Sequence, residues 1–235
     1  GRSFGYNEIP TTELKMATQG GYSPMMLLES KAGSLCRSLG FNEIITYSFV
    51  SPAIFDQIRL PKESSLRNAL KIQNPLGEDT SIMRTTVLPS MLEILTRNYN
   101  YRNKTAYLYE LGRTYFERED GLADEPKVLS LGMYGPAESF FTLKGLAETV
   151  AENLDVKFTY ERCELPYLHP FQTAAIICNG EKVGYLGKIS YPVQEAEDMR
   201  NSGYIMEIDM EALQQYYTNV KKFVPLPQFA EEKRD

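Results

Sequence analysis

Tryptophan is absent from these 235 residues, histidine occurs once and cysteine three times. One histidine without a Cys-x-x-Cys pair supplies no ligand set for zinc. Cys36, Cys163 and Cys178 are too few and too scattered for a disulfide framework. Such a sequence suits a reducing compartment, and a cytoplasmic location is expected. No apolar run approaches the roughly 20 residues of a membrane-spanning helix. No signal-peptide pattern opens the sequence, and there is no internal repeat or low-complexity tract. Positive charge is also in deficit: 25 Lys and Arg face 31 Asp and Glu, a net charge of −6. The basic residues are dispersed, so the balance speaks against a stand-alone nucleic-acid binder.

What is present is a globular composition: 43% hydrophobic, with 16 tyrosines and 11 phenylalanines. That length buries a substantial core, and the aromatic load favours a sheet. Ser23-Pro24 reads as a helix start and Gly40 as its stop. Met25, Leu28, Ala32, Leu35, Cys36 and Leu39 make one apolar stripe between them. A strand is expected over Asn42–Val50, a short helix after Pro52, and a strand–turn–strand over 69–86 with Asn74, Pro75 and Gly77 in the turn. A second amphipathic helix covers Ser90–Asn100. One long strand is expected over Ala106–Phe116 and another over 127–135, followed by a helix capped by Ser139. Three short strands come next, over 156–160, 173–179 and 182–190, the last two joined by the hairpin signal Asn179-Gly180, then a short helix from Ser190, a strand from Gly203 and a last helical turn. The mixture of antiparallel hairpins and interspersed helices predicts an α+β fold.

Several stretches, in order, carry a resemblance: GYNEIP, SLGFNEIITYSFVSP, NPLGEDTSIMRTTVLPSMLEILTRN, YLYELGRTY, LKGLAETV, LHPFQTA and GYLGKIS. From about Phe4 to Asp235 the chain resembles the β subunit of bacterial-type phenylalanyl-tRNA synthetases. The resemblance implies a class II aminoacyl-tRNA synthetase-like core, an antiparallel sheet flanked by helices, that serves as the non-catalytic partner of a catalytic α subunit. It places the tail of a preceding small domain and a linker at 1–20, the core at 21–224 and an exit linker at 225–235. The family's proofreading and RNA-contacting domains lie outside those limits, so an excised core is expected. The parent enzyme, a heterotetramer, uses ATP and magnesium to join phenylalanine to its tRNA. For this segment the resemblance implies no cofactor of its own.

An active class II core holds ATP phosphates with two arginines, one on an aromatic-Arg-x-Glu strand and one in a Gly-x-Gly-x-x-Arg strand and helix, because a forked cation best neutralises phosphate oxygens. In LYELGRTYFERED, Gly112, Arg113 and Tyr115 match the first pattern, but Phe116 stands at the arginine position. Arg118 reaches the role only with Glu117 in the aromatic slot. GYIMEIDMEAL, in place of the second pattern, has no arginine and carries Glu207 and Asp209. No catalytic, cofactor-binding or metal-binding residue is therefore assigned. His169 reads as a turn residue beside Pro170. Arg84 is expected to pair with an acidic neighbour or to cap the next helix. Glu110 and Glu117 are expected on opposite faces of one strand, and Gly184 and Gly187 at bulges. Met26, Leu27, Ile94 and Tyr101 lie off the apolar stripes of the two helices, and the resemblance makes them candidates for the α-subunit interface. Rival readings are a core that retains ATP binding or tRNA binding of its own.

Overall fold

The structure, a computed structural model, describes residues 23–217. The tail expected at 1–20 and the exit linker at 225–235 lie outside the described residues. Helix α1 (Pro24–Ser38) starts as its sequence dictates: the Ser23 hydroxyl accepts the Met26 N–H at 3.2 Å, and Gly40 leaves the helix with φ +89°.

The strand expected over Asn42–Val50 is instead two short pieces, β1 (Asn42–Glu43) and β2 (Phe49–Val50). The first pairs with Leu108–Tyr109; the second turns away to pair with β3 (Ile82–Met83), across helix α2 (Ile54–Gln57). The strand–turn–strand expected before Thr86 reduces to one bridge, Lys71 to Ile82, and a 3-10 turn over Glu78–Thr80. There the polar groups bond locally: Thr80 N–H to the Gly77 carbonyl and the Ser81 hydroxyl to the Glu78 carbonyl.

Helix α2 is followed by α3 (Leu88–Asn100) and strand β4 (Ala106–Arg113). The long strand expected to reach Phe116 stops at Arg113. The Thr114 and Tyr115 N–H groups leave the ladder for the Pro126 and Arg84 carbonyls. Strand β5 (Phe116–Glu117) then forms a separate ribbon with β6 (Ala123–Asp124). Glu110 and Glu117 are thus on different sheets, not on two faces of one strand.

Strand β7 (Lys127–Tyr134) leads into α4 (Phe140–Asn153), entered through a reciprocal capping box of Ser139 and Thr142. Strands β8 (Thr159–Arg162), β9 (Leu168–Cys178) and β10 (Glu181–Ile189) follow. Asn179 and Gly180 join the last two with φ +50° and +80°, as a two-residue hairpin requires. Helix α5 (Tyr191–Ala196), strand β11 (Gly203–Asp209) and helix α6 (Met210–Gln214) complete the described chain.

Seven strands form one sheet in the order β1-β4-β7-β11-β10-β9-β8. Every pairing is antiparallel except β1 with β4. The fold is α+β, and the sheet is mixed rather than wholly antiparallel, because the chain enters β1 from α1 on the same side from which it later enters β4. One face carries Tyr109, Leu131, Met206 and Leu186 and packs against α1, α4 and α6; Leu28 and Cys36 of α1 and Leu143, Ala147 and Val150 of α4 fill that layer. The other carries Leu108, Tyr134 and Ile205 and packs against α2 and α3 through Phe55, Met91 and Leu95. The two helices read from the sequence therefore lie on opposite faces of the sheet.

Gly184 and Gly187 sit next to register shifts of β10, as expected of bulges. A Cβ at Gly184 would lie 2.1 Å from the Glu207 carbonyl oxygen, whereas one at Gly145 in α4 would meet nothing within 4 Å. Gly184→Ala is expected to cost about 1–3 kcal/mol of unfolding free energy. Gly145→Ala should add up to about 1 kcal/mol. Urea unfolding of both variants checks the pair, and equal effects would refute the close-approach account.

Candidate functional site

Across the centre of the sheet, on the face covered by α3, four polar residues stand in one cross-strand row: Glu110, Ser130, Glu207 and Tyr185, on β4, β7, β11 and β10. Alternation along each strand puts them on the same side as Leu108 and Ile205. Glu110, Ser130 and Glu207 are buried.

Arg84, immediately after β3, is laid over one end of this row and is 2% exposed. Its backbone N–H bonds to the Ser48 carbonyl, and its carbonyl accepts the Tyr115 N–H. All three guanidinium nitrogens are committed. Nε donates to the Arg113 carbonyl at 2.8 Å, one terminal nitrogen to Thr46 Oγ1 at 2.6 Å, and the other to Glu110 Oε1 at 3.4 Å. Glu110 in turn accepts the Thr46 N–H at 3.0 Å and its hydroxyl at 2.7 Å. The expectation that Arg84 pairs with an acid holds, and the partner is Glu110. Gly112 makes room for it, since a Cβ there would sit 2.8 Å from the guanidinium.

At the other end of the row Glu207 is less well served. Neither its Oε1 nor the Tyr185 hydroxyl has a hydrogen bond of standard geometry. Burial pushes the Glu207 carboxyl up to about 7, against the smaller opposing pulls of the Tyr185 hydroxyl and the Arg84 guanidinium. The Tyr185 hydroxyl is driven well above its ordinary range by burial and by Glu207. Its ring packs against Tyr167 with centroids 5.7 Å apart.

This row does not fit a nucleoside triphosphate. Two carboxyl groups occupy it, and its one overlying arginine is committed to Glu110, Thr46 and Arg113. Phe116 is half-buried in the β5–β6 ribbon. Arg118 is ion-paired with Asp120 at 2.8 Å and with Asp124 at 3.7 Å, away from the row. Arg113 donates to the Glu125 carbonyl. Asp209 caps α6 by accepting the Glu211 and Ala212 N–H groups. His169 Nδ1 accepts the Phe171 N–H at 3.1 Å, a local turn-like bond at the start of β9. Among the described residues no group of three or more His, Cys, Asp and Glu side chains could hold a metal ion.

The knot around Arg84 has an external consequence. With Thr46 bound inward to Glu110, its neighbours point outward: Ile45 is 90% and Tyr47 85% exposed, and Phe49 continues the alternation. These three and Ile94 of α3 line one shallow depression. On the other side of β1, Met26 and Leu27 line a second depression with Glu43 and Tyr109. The residues singled out from the sequence are thus divided. Met26 and Leu27 are exposed on one side of the β1 edge. Ile94 is half-buried on the other, packed against the α3 layer. Tyr101 is exposed beyond the end of α3, beside Glu93, Arg97 and Glu197. Nothing in the sequence marks Ile45, Tyr47 and Phe49 as exposed: IITYSFV alternates as an ordinary half-buried strand does.

The sequence matches the family described as Phenylalanyl tRNA synthetase beta chain CLM domain over residues 9–210. It is 41% identical, along its whole length, to the phenylalanine–tRNA ligase beta subunits of Clostridium acetobutylicum and Clostridium tetani, and 28% identical to that of Thermotoga maritima. The chain spans about 30% of the length of the two clostridial relatives.

Proposed function

We propose a scaffolding role from the premise that this chain belongs to the phenylalanyl-tRNA synthetase β-chain family. It is a class II synthetase-like core without catalysis of its own, which holds the catalytic α subunit and supports the ATP-dependent charging of phenylalanine tRNA by the assembled heterotetramer. In this reading ATP and magnesium are used by the α subunit. The observation that carries it is the Arg84–Glu110–Thr46 knot. A row that would need free cations to grip phosphate has its arginine neutralised by the protein's own carboxylate, and the same bonds turn Ile45, Tyr47 and Phe49 outward at the sheet edge. Exposed apolar side chains grouped in this way suit a protein interface. Met26 and Leu27 flank the edge from the other side.

Light scattering behind a sizing column tests the reading, with the chain alone and mixed with the α subunit. A stable mixed complex is expected. Tyr47→Asp combined with Ile45→Asp should weaken it at least about tenfold, the scale of losing interface anchors. The melting temperature should stay within about 2 °C, since neither side chain is buried. An unchanged affinity would remove the 45–49 strip from the interface.

A further inference from the structure

The chain is acidic overall, yet three cations meet in one place. Arg102 and Lys104, between α3 and β4, and Arg200, before β11, line a groove of about 590 Å³ together with Asn100, Asn103 and Asn201. No carboxylate lines it. None of the three cations forms an ion pair or donates a side-chain hydrogen bond among the described residues, whereas Arg67, Arg84, Arg97 and Arg118 all do.

The backbone beside Arg102 and Lys104 is fixed from below. Tyr134 donates its hydroxyl to the Asn103 carbonyl at 2.9 Å and packs edge-on against Tyr99. The Asn103 amide donates to Asn98 Oδ1, and Asn98 donates to the Ile94 carbonyl. Arg102 takes φ +62°, with its N–H on the Tyr99 carbonyl. The loop is therefore held in shape while its charges remain free, which lowers the ordering cost of binding an anion.

We propose that this groove binds the phosphate backbone of RNA. The proposal rests on the scaffolding reading only in that an RNA then reaches the same assembly. Three unpaired cations within one groove can each take a phosphate oxygen. The sequence YNYRNK sets amides and tyrosines among the cations, and exposed Tyr101 supplies a flat face beside them for an unstacked base. An acidic protein segment would use the cations but has no need of the amide lining or the ring. Carboxylates bound the groove at both ends, Glu93 and Glu197 beyond Tyr101 and Glu195 and Asp198 beyond Arg200, and so confine the attraction for phosphate to the stretch between them.

The test is anisotropy of a labelled phenylalanine-tRNA transcript titrated with the 235-residue chain across a salt series. The wild-type chain binds at low salt. The triple variant R102Q/K104Q/R200Q binds at least about tenfold more weakly, and its log-affinity falls less steeply with log salt, by about 2 in slope. The control K62Q/K157Q, which removes two exposed lysines elsewhere, stays within about twofold of wild type. The proposal is overturned by absent wild-type binding, by equal losses in triple variant and control, or by polyglutamate displacing the chain as effectively as polyuridylate. That last result would assign the groove to an acidic protein. Complex formation with the α subunit, measured separately, is unaffected by the triple variant, so failure of this site and failure of the scaffolding reading are told apart.

Discussion

Arg84→Met lowers the free energy of unfolding by about 3–5 kcal/mol, the range for removing one partner of a buried ion pair. The substitution leaves a carboxylate, Glu110, buried in the sheet with only Thr46 to serve it, and it strips the Arg113 carbonyl of its donor. Adding Glu110→Gln should recover a large part of the loss, since no charge is then stranded; replacing both members of a buried pair is often close to neutral. Urea denaturation of the two single variants and the double gives the coupling energy directly. Additive losses would mean that the pair is incidental, and a single-variant loss under about 1 kcal/mol would mean that water reaches the knot.

Glu207→Gln acts in the opposite direction, and its effect depends on pH. In the unfolded chain the carboxyl titrates near 4.5; in the folded chain burial holds the proton until about pH 7. Below about pH 4.5 the group is neutral in both states and contributes nothing. Between the two values the folded state binds the proton that the unfolded state has released, so stability falls as pH rises, by about 1.4 kcal/mol per unit. Above pH 7 the penalty is complete, on the order of 3 kcal/mol. Glutamine occupies the same space without a charge. The variant should therefore be the more stable protein at pH 8 by up to about 3 kcal/mol, and close to wild type at pH 5. Denaturation at several pH values decides it: parallel profiles for the two proteins would show that Glu207 is not the group responsible.

The parts of the fold legible in the sequence are those fixed by neighbours in the chain. Ser23 with Pro24, Ser139 at the head of α4, and Asn179 with Gly180 each set a cap or turn within four residues, and each appears as read. The parts misread are those decided at a distance. The segment after Phe41 has the composition of one strand, but Thr46 is claimed by Glu110, 64 residues away, and β2 by β3. The strand after Ala106 meets no proline before Phe116; it ends because carbonyls from Pro126 and Arg84 capture its N–H groups. The same distance hides the site. That Arg84 has an acidic partner is a reasonable expectation from chemistry alone, but its identity requires the sheet register, as does the row that joins Glu110 to Glu207. Gly112 is the one local trace of the knot, a glycine placed where an arginine lies flat.

The seven-stranded sheet ends on β8 at one side and on the two residues of β1 at the other. Along β8, Thr159, Glu161 and Arg162 face solvent, and Tyr160 is covered by the Lys144 ammonium 4.9 Å from its ring. A rim of opposite charges makes a poor template for a further strand, and a rim two residues long offers almost none. Edges of this kind limit edge-to-edge recruitment of further copies, and so lower the tendency towards fibrils and precipitates that exposed Ile45, Tyr47 and Phe49 would otherwise bring.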